Sequence, residues 1–123
     1  MIALSLDIPA ARFGEDQSPF LSARLVADRL GITLAELAKL IGVARNTLTA
    51  KTGARKVDSA LSKVVRILAM ASEMAGDEAR AVIWFKHQPI PGWAGKTAFD
   101  LVGEGKADKV LAYLEAVRAG VYA

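Results

Sequence analysis

The chain of 123 residues has no cysteine. Disulfides, thiolate-held metals and a thiol nucleophile are therefore excluded, and a reducing compartment is compatible with the composition. His87 is the single histidine. A histidine-based triad or metal site lacks its second member, and the residue reads as a solvated side chain at a helix end. Long apolar runs are missing too. A spanning helix needs roughly 18 or more such residues, whereas the most apolar stretch, VVRILAMA at 64–71, is short and carries Arg66. The amino-terminal MIALSLDIPAARFGED lacks a basic start and turns acidic early, which predicts a soluble, cytoplasmic protein with no membrane attachment. There are no internal repeats and no low-complexity segments. Aromatic residues make up only 7% against 53% apolar residues, and that apolar excess points to surface buried against other chains.

Charge is small in sum but unevenly placed. Between Lys39 and Arg66, seven basic residues (Lys39, Arg45, Lys51, Arg55, Lys56, Lys63, Arg66) face one acid, Asp58, so this window carries +6 and the remainder −3. Such a segment reads either as an electrostatic footprint for a phosphate backbone or as a solvated basic face.

Local signals place helices along most of the chain. Ser18 and Pro19 supply a cap and a first-turn proline for a helix to about Leu30, which Gly31 stops. Thr33 and Glu36 form a T-x-x-E capping box for LAELAKLI, where Leu34, Leu37, Leu40 and Ile41 share one face. Gly42 ends that helix, and ARNTLTAK follows as a short third one. Asp58 is placed to cap a long fourth helix, with Leu61, Val64, Val65 and Leu68 at helical spacing, ending near Gly76. Asp77 restarts the chain into DEARAVIWFKH. A Pro/Gly-rich connector, 88–96, then leads to a helix from Thr97 to about Val102. A last helix from about Ala107 to Ala119 carries Val110, Leu114 and Val117 on one side, with Gly120 as its stop. Only Ile2, Leu4, Leu6 and Ile8 alternate with other residues, the pattern of a short strand or extended arm. The expected class is all-α: an arm at 1–17, a helical bundle at 18–76 and a smaller helical domain at 77–123.

Within LAELAKLIGVARNTLTAKTG the spacing carries information. Ala38 is small where two helices cross closely, Gly42 follows four residues later where a turn favours positive φ, and Leu48, six further on, anchors a second helix. With Leu37, Ile41 and Val43 apolar, this is the pattern of a helix-turn-helix, to be weighed against a generic helical hairpin. If it binds DNA, the second helix offers its first residues to the major groove. Arg45 suits guanine O6/N7 and Asn46 suits adenine N6/N7, with Thr49 also outward and Leu48 inward. Thr47, Lys51, Arg55 and Lys56 suit phosphates. Asn46 has a second reading as a local cap. A module this small is expected to bind as a dimer on paired half-sites.

Gly95-Lys96-Thr97 is the tripeptide that closes a phosphate-binding loop, G-x-x-x-x-G-K-[ST]. Ile90 stands where the first glycine belongs, and FKHQPIP, with Pro89 and Pro91, makes no buried strand. The local alternative is that Thr97 caps a helix with Asp100 in its positively polarised first turn. A small enzyme built around Lys96 and Asp100 is disfavoured, because no nucleophile–base pair has a credible spacing. Neither catalytic residues, nor a cofactor, nor a metal is expected.

Taken together, IWFKHQPIPGWAGKTAFDLVGEGKADKVLAYLEAVRAGVYA (83–123) resembles the toxin-binding domain of the Xre/MbcA/ParS antitoxin family. The resemblance rests on the aromatic-rich helix with Trp84, the Pro/Gly turn, Gly95-Lys96-Thr97 leading into AFDL, an acid/Gly/Lys break, KVLAYLEAV and the closing GVYA. The helix-turn-helix upstream resembles the Xre-type half of the same family. Ala98 departs from the pattern, which usually has proline there; its loss softens the helix start. The resemblance implies the antitoxin of a type II pair whose partner is a RES-domain toxin that consumes NAD or uses it for ADP-ribosylation. It also implies operator binding that autoregulates the operon, and a homodimer or a higher hetero-oligomer with toxin. It carries toxin contact onto Gly120, Val121, Tyr122 and Ala123, where a tyrosine beside a carboxylate offers an apolar anchor, a hydroxyl and a negative charge. The other reading of that tail is a frayed end. Lys96 is a candidate toxin contact or a solvated lysine. Trp84 and Trp93 read first as core, with Trp93 kept as a candidate toxin-binding anchor because tryptophan is enriched at interfaces. The competing function is a stand-alone dimeric helix-turn-helix transcriptional regulator.

Overall fold

The computed structural model describes residues 22–48 and 54–120, the side chains of 54–56 excepted. The expected arm, Ser18, Pro19, Thr49, Lys51 and the segment 121–123 lie outside the described residues. Among the described residues are six α-helices and one 3-10 turn, with no strand beyond an isolated antiparallel bridge between Pro89 and Thr97. The class is all-α.

Helix α1 spans Ala23–Leu30. Ser22 is extended and its hydroxyl accepts the Leu25 N–H at 3.2 Å. Ser22 is therefore the cap of this helix, and the expected start at Ser18 lies outside the described residues. Helix α2, Leu34–Ile41, begins with the expected capping box, in which the Glu36 N–H donates to Thr33 Oγ1 at 3.0 Å and the Thr33 N–H to Glu36 Oε1 at 2.8 Å. These bonds hold the Glu36 carboxyl below its ordinary pKa, the backbone donor of Thr33 contributing most.

After Gly42, only a 3-10 turn at Arg45–Thr47 stands in the described part of the expected third helix. Helix α3, Ala54–Ala75, starts four residues before Asp58, so Asp58 is an interior residue rather than a cap. The reason is the apolar stripe, which opens at Val57 (buried) and continues through Leu61, Val64 and Leu68, so burial extends the helix upstream of the acid. Helices α4 (Glu78–His87), α5 (Ala98–Gly103) and α6 (Ala107–Arg118) follow. Asp77 caps α4 by accepting the Arg80 N–H at 2.7 Å.

Helix α3 is the central element, packed on α4 and α6 along its length and on α1 and α2 as well. Leu61, Val64 and Ile67 of α3, Leu30 of α1, Leu37 of α2, Phe85 of α4, Leu101 of α5 and Val110 of α6 are all fully buried members of one apolar cluster. No polar side chain is buried with them among the described residues. Phe85 meets Phe99 edge to face, ring centres 6.0 Å apart, a favoured aromatic geometry. The core crosses position 76 freely. A side chain at Gly103 would touch Leu40 of α2 at 3.9 Å. The Lys86 ammonium donates to the Leu30 carbonyl at 3.0 Å, and Arg29 pairs with Glu78 at 3.1 Å. No helix among the described residues is long and apolar enough to cross a membrane.

Candidate functional site

The connector between α4 and α5 is a closed loop rather than slack chain. Ile90 is buried and pins it to the core. Its N–H donates to the Lys96 carbonyl at 2.8 Å, the Trp93 N–H to the Ile90 carbonyl at 3.3 Å, and the Lys96 N–H to the Trp93 carbonyl at 3.0 Å. So tight a circuit needs left-handed backbone, found at Gly92 (φ 86), Ala94 (φ 55) and Gly95 (φ 84). Ala94 is the exception among them, since a Cβ disfavours that region. Gly95 here serves the turn.

Thr97 starts α5 with a complete capping box. Its Oγ1 accepts the Asp100 N–H and its N–H donates to Asp100 Oδ2, both at 3.1 Å. The shorter aspartate thus does what glutamate does at Thr33. Lys96 is partly exposed, and its ammonium lies 2.8 Å from Glu104 Oε2. Lys106 reaches the other oxygen of Glu104 at 3.3 Å and also stands over the Trp93 ring, 5.4 Å from its centre, within the range of a cation–π contact. The two lysines, Lys96 before Lys106, hold the Glu104 carboxyl below its ordinary pKa. Trp93 itself is half-buried and packs against the core, as does Trp84.

Glu104 and Lys106 were not singled out by sequence reasoning. Their only signal is an acid/Gly/Lys break between two helices, and the partner lysine lies eight residues upstream of Glu104, joined to it by the fold alone. Helix α6 ends in Gly120 (φ 87), whose N–H donates to the Val117 carbonyl at 2.9 Å. Gly120 is exposed, while Val121, Tyr122 and Ala123 lie outside the described residues.

At the other end, α2 closes with Gly42 (φ 78), whose N–H and that of Val43 return to the carbonyls of Lys39 and Ala38 at 3.3 and 2.9 Å. Ala44 is extended, then Arg45 and Asn46 sit exposed on the 3-10 turn, Thr47 is half-buried and Leu48 is buried. The order outward, outward, inward matches the assignment of Arg45 and Asn46 as surface groups and Leu48 as an anchor. Asn46 is the middle residue of that turn, whose N-cap position is Ala44. Arg55 and Lys56 occupy the first turn of α3, their side chains undescribed. Lys63, part of the basic window, is drawn to Asp108 of α6 at 3.3 Å, so it ties two helices together. Arg66 and Lys39 are exposed. Among the described residues no group of acids and histidine is placed to hold a metal ion.

No curated protein and no solved structure gave a match to the chain. A family model did: residues 70–120 match the antitoxin Xre/MbcA/ParS C-terminal toxin-binding domain. The matched segment opens inside α3 and includes α4, the closed loop, α5 and α6. A domain of this kind implies a toxin partner. From the last turns of α3 onward, residues 70–120 are thus similar to the toxin-binding domain of the Xre/MbcA/ParS antitoxin family.

Proposed function

We propose that the chain is the antitoxin of a type II pair whose partner is a RES-domain toxin, one that consumes NAD or uses it for ADP-ribosylation. The observation that carries this reading is the match of 70–120 to an antitoxin's toxin-binding domain. The functional halves are 18–76 for DNA and 77–123 for toxin, the arm at 1–17 standing apart. Toxin contact is assigned to Trp93 and Lys96 on the closed loop and to Gly120, Val121, Tyr122 and Ala123 beyond α6. The tail covers the toxin's active site, its tyrosine giving an aromatic anchor and a hydroxyl.

The other half is assigned to operator DNA, which autoregulates the operon. The supporting geometry is the sharp, glycine-closed turn after α2 with Arg45 and Asn46 exposed just beyond it, as a helix-turn-helix requires. Arg45, Asn46 and Thr49 read bases, and Thr47, Lys51, Arg55 and Lys56 hold phosphates. The chain acts in the cytoplasm as a homodimer or in a larger hetero-oligomer with toxin.

The test is co-expression with the neighbouring reading frame, following growth and cellular NAD, with the full chain and a version ending at Gly120. The expected result is that the neighbour alone stops growth and depletes NAD, the full chain rescues, and the shortened chain does not. Equal rescue by the shortened chain removes the tail from the mechanism. A harmless neighbour that forms no complex would leave a stand-alone dimeric regulator.

A further inference from the structure

The sequence marks Glu104 and Lys106 only as an acid/Gly/Lys break between two helices, yet they meet the two loop residues assigned to toxin contact. Glu104 bridges Lys96 at 2.8 Å and Lys106 at 3.3 Å, and Lys106 covers one face of Trp93. We propose that Glu104 and Lys106 are positioning residues that fix Lys96 and Trp93 for recognition of an acidic, partly apolar patch on the toxin. This inference rests on the toxin-binding reading of Trp93 and Lys96.

The backbone of the loop is already fixed by three internal hydrogen bonds, the buried Ile90 and a left-handed Ala94. Strain of that kind persists only where the surroundings over-determine it. The freedom left is in the side chains. A lysine on four rotatable bonds and a half-exposed indole each lose conformational entropy when a partner orders them, and that loss is subtracted from affinity. Glu104 removes it in advance for Lys96, and Lys106 removes it for the Trp93 ring. Two ammonium groups around one carboxylate leave the cluster with a net positive charge beside an aromatic ring. Its complement is a carboxylate next to an apolar surface.

The test uses the full chain titrated calorimetrically with the neighbouring reading frame's protein, together with the NMR signals of the two indole N–H groups, assigned through Trp84→Phe. Trp93→Ala is expected to weaken the complex by about tenfold or more. Glu104→Gln is expected to weaken it by about tenfold, the scale of one side chain left to be ordered on binding, and to move the Trp93 signal while leaving that of Trp84 in place. Added to Lys96→Met, Glu104→Gln should cost little more, and Lys106→Arg should keep the affinity. If Trp93→Ala weakens the complex and Glu104→Gln does not, the positioning role falls and the toxin-binding reading stands. An equal loss from Glu104→Gln with and without Lys96 also overturns positioning. If the complex forms with unchanged affinity in both Trp93→Ala and Lys96→Met, the site assignment itself is wrong and this inference goes with it.

Discussion

Ala94 keeps a left-handed backbone at φ 55 between two glycines that adopt it freely. An L-residue there costs about 1–2 kcal/mol, while glycine adds about 0.5–1 kcal/mol of unfolded-state entropy. Ala94→Gly is therefore expected to stabilise the fold by about 0.5–1 kcal/mol, read as a rise of a few degrees in Tm. Three residues further, Thr97→Ala removes the acceptor for the Asp100 N–H and should cost about 1 kcal/mol. Glu104 adds a pH dependence whose sign is fixed by its lysines. They lower its pKa in the folded chain below the 4.5 of an unperturbed glutamate, so the stabilisation is complete above that value and is lost as pH falls through the lowered pKa. Thermal melts at about pH 7 and about pH 3.5 should converge more closely in Glu104→Gln than in the parent chain. The threonine caps were legible because capping acts over three residues. The Glu104 cluster was not, because its members are neighbours only across the loop.

Elements were legible where a local device sets their ends. Thr33 with Glu36, Gly42, Asp77 and Thr97 all stand where their side chains or backbones demanded. One start was misplaced. Asp58 is a competent cap, but a cap is used only where burial lets the helix begin, and Val57 carries α3 upstream past it. At Gly42 an added methyl would meet nothing within 4 Å, so Gly42→Ala tests the backbone alone. It is expected to destabilise by about 0.5–1 kcal/mol, the left-handed cost less the unfolded-state entropy that alanine removes, measured by denaturant midpoint at constant m. For the DNA assignment, Arg45→Ala should relax base preference at one position, while Lys56→Ala should weaken all sequences alike and reduce the salt slope by about one. Titrations on operator and scrambled duplexes at several salt concentrations separate the two. No response to either change at any salt would remove the DNA reading.

Across the whole molecule, the proposed functional division near 76 is not a division of the core. Phe85, Leu101 and Val110 close over Leu61, Val64 and Ile67 of α3, and Leu40 of α2 lies against the end of α5. A fragment of residues 77–123 is therefore expected to be largely unfolded by far-ultraviolet circular dichroism, because a piece of fewer than about 50 residues has lost the helix that buries it. A strongly helical, cooperatively melting fragment would contradict this. The family match agrees in its placement, since it begins at 70, within α3, rather than at the loop before α4.

What the sequence determined by itself was the local grammar: an all-α chain, helix ends set by capping threonines, an aspartate and glycines, and an ordered C-terminal pattern whose resemblance to an antitoxin domain the family match bears out. These are properties of residues within a few positions of one another, where side chain and backbone compete for the same hydrogen bonds. What only the tertiary structure decided was where α3 begins, that one core joins both halves, and that Lys96, Glu104, Lys106 and Trp93 form a single cluster. Those outcomes depend on burial and on contacts between segments distant in the chain, which no local spacing encodes.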